Sequence, residues 1–380
     1  MLIRYGLRSL LARKTTSLAA GLGVAMVTFV LAAALMLASG VSHTLASGGR
    51  TDVAMVLRRG STSELSSTVS ETDVRIVRAT PGVASVAAET VAVLALDKVG
   101  APGFSNVTVR GTDEGSLPSR PSVHLIEGRL PQPGTDEAMV GTQVRGRFRG
   151  VDLGGTIELR KNRPVHVVGV FADGGSSAES EVWLDGKIAA AAFGRQGSVS
   201  AVRVVLSDAT AFEGFRGALE GDERLALTAV RELGYLRAQS EDLATFLRVM
   251  GWIIASFFSV GAVLGATMTM HAAIASRGRE IGTLRALGFS RWRILGTFVF
   301  EATAMTGAGG ILGALAATLL AFVHISMINY ATWSELSFGF QPTWQALVTA
   351  GVFGIGMGLV GGLFPALRAM RMSPLQALRH

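Results

Sequence analysis

The sequence predicts a membrane protein with four transmembrane α-helices and a large α+β extracytoplasmic domain inserted between helices 1 and 2. Only 17% of its 380 residues are charged and 49% are hydrophobic, whereas a soluble domain usually carries about a quarter charged residues. The mean hydropathy is +0.42. Four long segments lack charged residues, and the basic residues are distributed unevenly along the chain. A protein built only of soluble domains is therefore disfavoured.

Each of the four uncharged segments is longer than the ~20 residues that a helix needs to cross ~30 Å of hydrocarbon. A cleaved signal peptide is the alternative for the first segment, but its apolar run exceeds the ~7–15 residues typical of a signal. We therefore expect a retained anchor there. The predicted spans are 17–40, 249–275, 297–323 and 344–367.

The basic residues predict the orientation of the spans. Segments 1–16, 276–296 and 368–380 contain twelve basic residues and one acid, Glu280, whereas the loop 324–343 has no basic residue. The basic residues are Arg4, Arg8, Arg13, Lys14, Arg277, Arg279, Arg285, Arg291, Arg293, Arg368, Arg371 and Arg379. Lys and Arg concentrate in cytoplasmic segments, so both termini are expected in the cytoplasm, with 41–248 and 324–343 outside. The net charge of +7 then reflects topology, and no nucleic-acid partner is expected.

The two cytoplasmic ends of the chain are expected to differ. Segment 1–16 has Arg4 and Arg8 one helical turn apart among leucines. This pattern predicts an amphipathic helix that lies on the inner membrane surface before span 1. Segment 368–380 is expected to be a cytoplasmic tail.

The extracytoplasmic domain 41–248 has the sequence patterns of mixed α and β structure. Short β-branched runs bounded by Gly, Pro or Asp predict strands, and apolar residues at helical spacing predict helices. The predicted strands are 83–96, 107–110, 156–159, 165–171 and 199–206. The predicted helices are 72–79, 209–220 and 241–250.

The sequence contains no recognisable constellation for catalysis, metal binding or nucleotide binding. Cysteine is absent, and the six histidines lack the spacing of a metal site. None of the four lysines, Lys14, Lys98, Lys161 and Lys187, stands in a G-x-x-x-x-G-K-[ST] loop. We therefore predict no catalytic, cofactor or metal site, and an autonomous membrane enzyme is a weak alternative.

The cytoplasmic loop between spans 2 and 3 carries a pattern typical of a short ordered helix. Apolar residues recur near helical spacing among charges at Ile281, Leu284 and Leu287. Gly288 can end this helix, and Ser290 can cap the next one. A basic loop resting on anionic lipid would explain the arginines. Docking in a groove on another protein better explains an apolar face beside an acidic residue and paired glycines.

The run Arg-Glu-Ile-Gly-Thr-Leu-Arg-Ala-Leu-Gly at 279–288 resembles the cytoplasmic loop of MacB/FtsX-like permeases of ABC transporters. Glu301-Ala302 at the start of span 3 and the C-terminal runs 364–369 and 373–378 are similar to the same family. In the outer region, the runs 80–83, 127–129, 137–141 and 167–170 resemble its periplasmic core domain. The resemblance covers essentially the whole chain.

The resemblance implies a permease subunit of the bacterial inner membrane, paired with a second permease subunit as a homodimer or heterodimer on two ABC ATPase subunits. Because the sequence begins at span 1, ATP and Mg are expected to bind a partner ATPase chain, and the permease itself needs no cofactor. Its loop helix would be the coupling helix, with Glu280, Arg285 and Gly288 as the strongest candidates. The full set of expected ATPase-coupling residues is Arg279, Glu280, Ile281, Gly282, Leu284, Arg285, Ala286, Leu287 and Gly288. A periplasmic adaptor protein and membrane lipid are further candidate partners.

Two functions follow from the resemblance. The first is extrusion of an amphipathic or lipid-linked substrate, including lipoprotein release, with ATP-driven motion carried along spans 1 and 2 to the outer domain. The alternative is an FtsX-like transmembrane transducer that controls an external partner such as a cell-wall hydrolase. The sequence names no substrate.

Glycines at G-x-x-x-G spacing allow transmembrane helices to approach closely. They are Gly261 and Gly265 in span 2, Gly309 and Gly313 in span 3, and Gly354, Gly358 and Gly362 in span 4. Packing within the chain is expected for spans 3 and 4, and a dimer face is the alternative. Glu301 is expected to be structural, near a helix N-terminus that favours its charge.

Overall fold

A computed structural model describes residues 14–329 and 333–371 of the chain. The expected amphipathic helix before span 1 falls almost wholly on residues 1–13, outside the described residues. The C-terminal run 373–378 and most of the expected cytoplasmic tail also lie outside them.

Eight α-helices and fourteen strands lie within the described residues. The helices are α1 (Lys14–Ala46), α2 (Glu71–Ala79), α3 (Gly186–Phe193), α4 (Phe212–Gly221), α5 (Glu232–Ala275), α6 (Gly278–Ala286), α7 (Arg291–Ala317) and α8 (Trp344–Arg371). The strands are β1 (Val53–Arg58), β2 (Val69–Ser70), β3 (Val83–Asp97), β4 (Phe104–Thr112), β5 (His124–Gly128), β6 (Glu137–Gly141), β7 (Thr156–Arg160), β8 (Arg163–Ala172), β9 (Glu181–Asp185), β10 (Ser198–Val199), β11 (Ala201–Leu206), β12 (Leu227–Arg231), β13 (His324–Asn329) and β14 (Ser334–Gly339).

The helices α1, α5, α7 and α8 are each long and apolar enough to cross a membrane. The four expected spans lie along these helices, and α7 reaches the end of its span through a 3₁₀ turn, Thr318–Phe322. A mixed sheet separates the first long helix from the second. The predicted fold class is therefore confirmed.

The chain divides into two compact units. The helical unit comprises the described parts of Met1–Gly40, Leu243–Val323 and Gly339–His380. The sheet unit comprises Val41–Asp242 and His324–Phe338. The boundary after Asp242 falls inside α5, because this helix begins ten residues earlier, at Glu232, instead of at the start of the apolar segment.

A ten-stranded mixed sheet organises the sheet unit. Its strand order is β12-β1-β11-β3-β4-β9-β6-β8-β5, and β7 pairs with β8. The pairs β4–β9 and β6–β8 are parallel, and the other pairs of the sheet are antiparallel. The 15-residue strand β3 runs between two apolar cores, one built on β1, β11, α2 and α4 and the other on β4, β6, β8, β9 and α3.

Local capping explains where the short helices of the sheet unit begin and end. The Ser70 side chain accepts the Asp73 N–H while the Asp73 carboxylate accepts the Ser70 N–H, so α2 begins with a capping box. Asp185 caps the start of α3, and Gly194 ends it in a left-handed conformation that glycine adopts without strain. The predicted helix 72–79 matches α2 closely.

The expected short loop 324–343 contains the two-stranded sheet β13–β14, most of which belongs to the sheet unit. The Thr108 hydroxyl donates to the Ser334 hydroxyl over 2.8 Å. The Glu335 carboxylate pairs with Lys98 at 2.7 Å and also with Arg147. Because these residues contact each other, both segments of the sheet unit lie on the same side of any membrane that the four helices cross.

Five of the seven predicted packing glycines lie at close helix contacts in the helical unit. A Cβ atom at Gly309 or Gly313 would overlap with α1, and one at Gly358 or Gly362 would overlap with α7. A Cβ at Gly354 would lie 2.8 Å from the Cα of Gly310. These glycines therefore allow α7 to pack on α1 and α8 to pack on α7.

For Gly261 and Gly265 of span 2, packing within the chain and a dimer face were both left open by the sequence, and neither glycine makes a close contact within the described residues. A Cβ at either position would have no described atom within 4 Å. The adjacent alanines, Ala262 and Ala266, are the residues buried in the helical unit. One residue along a helix is a rotation of about 100°, so α5 presents the alanines to its neighbours and the glycines outward.

Candidate functional sites

The short helix α6 connects two of the long helices, α5 and α7. Gly288 follows it with φ of +88°, a left-handed conformation that ends the helix. The Ser290 hydroxyl then accepts the Arg293 N–H and caps α7. The end of α6 at Gly288 and the start of α7 at Ser290 were predicted from the sequence, and the structure confirms them.

The predicted apolar face of this helix is divided. Ile281 is 2% exposed and packs with Ile294 and Phe298 of α7. Leu287 is 72% exposed, and Leu284 is half-buried. Leu287 follows Ile281 by six positions, which places the two side chains about 120° apart around a helix. The apolar residues therefore do not form one docking face.

The nine predicted coupling residues fall into an exposed set and a set that holds the helix in place. Arg279, Glu280, Ala286, Leu287 and Gly288 are exposed, Leu284 and Arg285 are half-buried, and Ile281 and Gly282 are buried. Trp292, which the sequence reasoning did not select, is 72% exposed at the start of α7. A partner that contacts this element would meet charged residues with two large apolar side chains among them.

A buried ion pair fixes the start of α6 to α7. The Arg277 guanidinium donates to the Glu301 carboxylate over 3.1 Å, and the two side chains are 10% and 4% exposed. Glu301 is the eleventh residue of α7 and lies about three turns inside it. The expectation that a helix N-terminus favours its charge is therefore wrong, since that effect is confined to the first turn.

The sheet unit contains a second candidate site, a buried set of four glutamates and three arginines that we call the outer charge cluster. None of these residues is more than 9% exposed. They are Glu64, Glu89, Arg110, Arg120, Glu181, Arg203 and Glu232. Buried charges are rare unless they are paired, so the cluster marks an unusual position in the fold.

Arginine forks hold the strands of the cluster together. Arg110 on β4 donates to Glu181 at 2.7 Å, to Glu89 at 2.8 Å and to Glu64 at 3.0 Å. Arg120 binds Glu89 through both terminal nitrogens. Charge-assisted, forked hydrogen bonds of this kind fix the orientation of both partners.

The same cluster contacts the start of α5 and the segment that follows α1, both of which lie in the sheet unit. Glu232 is the first residue of α5 and forms an ion pair with Arg203 of β11. Its carboxylate also accepts the backbone N–H of Arg50, four residues after α1, over 2.9 Å. Tyr235, in the first turn of α5, accepts the Glu64 N–H over 3.1 Å.

Electrostatics keep the central groups of the cluster charged. Burial by itself would raise the pKa of Glu89, but the charges of Arg120 and Arg110 outweigh it and hold that pKa far below its ordinary value. Burial and the charge of Arg120 lower the pKa of Arg203 to about 10. Both groups therefore remain ionised at neutral pH.

A cavity of about 60 Å³ adjoins the cluster. Two buried polar atoms on its lining residues, Nε of Arg203 and Oδ1 of Asp173, have no hydrogen-bond partner among the described residues. The volume has room for water that would bridge such atoms. It is much smaller than the ~300–1,000 Å³ of a typical small-molecule site.

Sequence reasoning missed the outer charge cluster. Its seven members come from separate places in the chain between Glu64 and Glu232, so no local motif marks them. The available signal was a charge at an inward position of an apolar strand, as with Glu89 in β3 and Arg110 in β4. Only the register of the strands shows that these charges are neighbours.

Comparison with known proteins gives matches to two family models. Residues 15–221 match the MacB-like periplasmic core domain, and residues 252–374 match the C-terminal domain of FtsX-like permeases. An uncharacterized ABC transporter permease, MJ1507, of Methanocaldococcus jannaschii is 27% identical over 266 residues, which is 67% of this chain and 65% of the relative. The macrolide export ATP-binding/permease protein MacB of Rhodopirellula baltica is 28% identical over 149 residues, or 37% of this chain and 21% of the relative. The aligned part is therefore less than two thirds of either relative.

Among solved structures, the extracellular domain of the noncanonic ABC-type transporter YknZ from Gram-positive bacteria covers 47% of this chain and 99% of its own, with 16% identity and a TM-score of 0.36. The periplasmic region of MacB from Actinobacillus actinomycetemcomitans covers 49% of this chain and 91% of its own. Its identity is 14% and its TM-score is 0.38.

Proposed function

The chain belongs to the MacB/FtsX-like family of ABC transporter permeases, and on this premise we propose that it couples ATP hydrolysis by a partner ATPase to motion of its sheet unit. The absence of a P-loop from the 380 residues supports a nucleotide site on another chain. The proposed complex pairs two permease subunits, identical or different, with two ATPase subunits. The permease would bind neither ATP nor Mg itself.

The observation that carries this proposal is the anchored position of α6. Ile281 and the Arg277–Glu301 pair hold the helix against α7, while Arg279, Glu280 and Leu287 stay exposed. A short helix that is fixed on one side and exposed on the other can transmit a push from a bound protein. We propose that the exposed side is seated on the ATPase.

The proposed location is the cytoplasmic membrane of a bacterium, with the sheet unit outside and the termini and α6 inside. The basic residues at the ends of the four long helices support this orientation. Contacts of the β13–β14 sheet with Thr108, Lys98 and Arg147 also support one side of the membrane for both segments of the sheet unit, 41–242 and 324–338.

Extrusion of an amphipathic or lipid-linked substrate is the first candidate activity. Exposed apolar side chains on the sheet unit support it, because such a substrate needs a partly apolar surface. They include Val99, Phe104, Leu125, Ile126, Leu130 and Trp333. A periplasmic adaptor protein would be a further partner on this account, and lipid would surround the four spans.

Transmembrane signalling to an external protein is the second candidate activity. The cavity beside the outer charge cluster, about 60 Å³, is too small for a drug-sized or lipid-linked molecule. A surface that contacts another protein needs no such cavity. A cell-wall hydrolase is one example of a partner that this kind of transducer could control.

Reconstitution with the ATPase in lipid nanodiscs separates the two activities. For extrusion, an amphipathic substrate added alone should change the rate of ATP hydrolysis. For signalling, only an external protein should change it. Absence of any stable complex between this chain and an ABC ATPase would contradict both.

A further inference from the structure

We infer that the outer charge cluster is a rigid joint that makes the ends of α1 and α5 move the ten-stranded sheet as one body. This inference rests on the proposed function, because it names the residues through which motion of the two spans would reach the sheet. It assigns a positioning role to Arg203, Glu232 and Arg50.

Three contacts tie the two helices to each other and to the sheet. Glu232 pairs with Arg203 of β11 and accepts the Arg50 N–H. The side chains of Arg50 and Arg203 also converge on one acceptor, the Ser119 carbonyl, over 3.3 and 3.2 Å. The segment that leaves α1 and the first residue of α5 are therefore fixed to the same strand.

The cluster also bridges the two apolar cores of the sheet unit. Glu89 of β3 binds Arg120 and Arg110, and Arg110 of β4 continues the network to Glu181 of β9. Strand β3 contributes Val86 to the first core and Leu96 to the second, and β4 contributes to the second. α5 reaches this network through Tyr235, because its hydroxyl accepts the Glu64 N–H and the Glu64 carboxylate accepts from Arg110.

Stability alone does not account for this arrangement. Apolar side chains of similar volume in place of a buried ion pair often give equal or greater stability, because burying charges is costly. Forked ion pairs instead fix the relative orientation of the groups that they join. The cluster therefore fixes relative orientation, and the cavity beside it has room for water that would bond to Arg203 Nε, which has no partner among the described residues.

A double variant, Arg203→Met with Glu232→Leu, tests the joint in the full chain with its ATPase. It should stay folded and hydrolyse ATP, but the ATP-dependent change in amide hydrogen exchange across β1, β11 and β12 should be lost. The same substitutions at the exposed pair Arg145–Glu127, Arg145→Met with Glu127→Leu, are the matched control and should preserve the change. If the first double variant does not fold, Glu232→Gln, which keeps the shape, should weaken the change.

A disulfide rescue separates position from stability. Gly48, just beyond α1, and Ser176 both line the cavity, and a Cβ at Gly48 would lie 3.5 Å from Ser176 Cβ, within the range for a disulfide. The chain has no cysteine of its own. Gly48→Cys with Ser176→Cys, added to Arg203→Met with Glu232→Leu, should restore the ATP-dependent change when oxidised and lose it again when reduced.

The outcomes are distinguishable. The joint is overturned if the ATP-dependent change in hydrogen exchange survives in Arg203→Met with Glu232→Leu. It is also overturned if the oxidised disulfide between Gly48→Cys and Ser176→Cys does not restore that change. Either result leaves the proposed function intact. Absence of any ATP-dependent change in the unaltered protein overturns the proposed function. Without ATPase, the double variant should exchange faster at 47–52 and 232–236 while both cores stay protected, and unchanged exchange there contradicts the joint independently.

Discussion

Arg277 and Glu301 are 24 residues apart in sequence, yet the guanidinium of the first donates to the carboxylate of the second over 3.1 Å in a buried position. Arg277 immediately precedes α6, and Glu301 lies three turns inside α7. The pair therefore fixes the orientation of α6, and of its exposed side, relative to α7. Its position explains why a charged residue is found inside an apolar helix.

Arg277→Met should destabilise the helical unit by about 3–5 kcal/mol, because it removes a cation from beside a buried carboxylate. Thermal unfolding in detergent measures the loss. Arg277→Met combined with Glu301→Leu should recover most of the stability but not the ATPase coupling, since the orientation of α6 is no longer fixed. If the single and double variants are equally unstable, the pair does not act as described.

Gly288→Pro should uncouple the ATPase, because proline cannot adopt the φ of +88° that ends α6. Gly288→Ala is the matched control and should cost only about 1–2 kcal/mol of local strain. Basal and coupled ATP hydrolysis of the reconstituted complex are the measurements. Equal coupled rates in the proline variant and the unaltered protein would contradict the role of this turn.

Glu280→Lys should weaken binding of the ATPase, because it reverses an exposed charge in the first turn of α6. The expected loss is about tenfold in affinity, which corresponds to ~1.4 kcal/mol. Glu127→Lys, at an exposed site on the sheet unit, is the control and should bind normally. Titration of the ATPase onto nanodiscs that contain each variant checks the difference.

Acid should destabilise the sheet unit through Glu89. Arg120 and Arg110 hold the pKa of this carboxyl below its unfolded value of 4.5, so its contribution is fully present above that pH. As the pH falls through and below 4.5 the unfolded chain takes up the proton first, and stability is lost. The unfolding temperature should therefore drop between pH 6 and pH 3, and Glu89→Gln should be less stable at pH 6 with a shallower pH dependence. A steeper dependence in Glu89→Gln would contradict the assignment.

Gly354→Leu should disrupt the helical unit, because even a Cβ at this position would lie 2.8 Å from the Gly310 Cα. The expected cost is about 1–3 kcal/mol or more. Gly261→Leu is the comparison, since no described atom lies within 4 Å of its Cβ. Unfolding measurements should show Gly261→Leu near the unaltered protein, and a lower dimer fraction in Gly261→Leu would place that face between two permease subunits.

The apolar spans and the local caps could be predicted from the sequence because each depends on neighbouring residues. Uncharged length alone locates α1, α5, α7 and α8, and glycine and serine mark the turn between α6 and α7. Strands of the sheet unit were predicted where β-branched runs are long, as in β3, β8 and β11. Strands β1, β6, β9 and β12 were missed, since each carries only one or two β-branched residues, against three or more in β3, β8 and β11.

Contacts between distant residues account for most of what the sequence did not predict. The outward direction of Gly261 depends on which side of α5 packs, and a G-x-x-x-G pattern carries no such direction. The β13–β14 sheet owes its position to partners more than 150 residues away, such as Ser180 for Ser337. The outer charge cluster likewise requires the strand order β11-β3-β4-β9, which no short motif encodes.

Affinity purification of the full chain from its own membranes in mild detergent measures whether α6 seats this permease on an ABC ATPase. An ABC ATPase should co-purify with the unaltered chain, and its yield should fall in Glu280→Lys but not in Glu127→Lys. Absence of an ABC ATPase from the purified material, or equal recovery with Glu280→Lys, would show that α6 is not the ATPase-binding element.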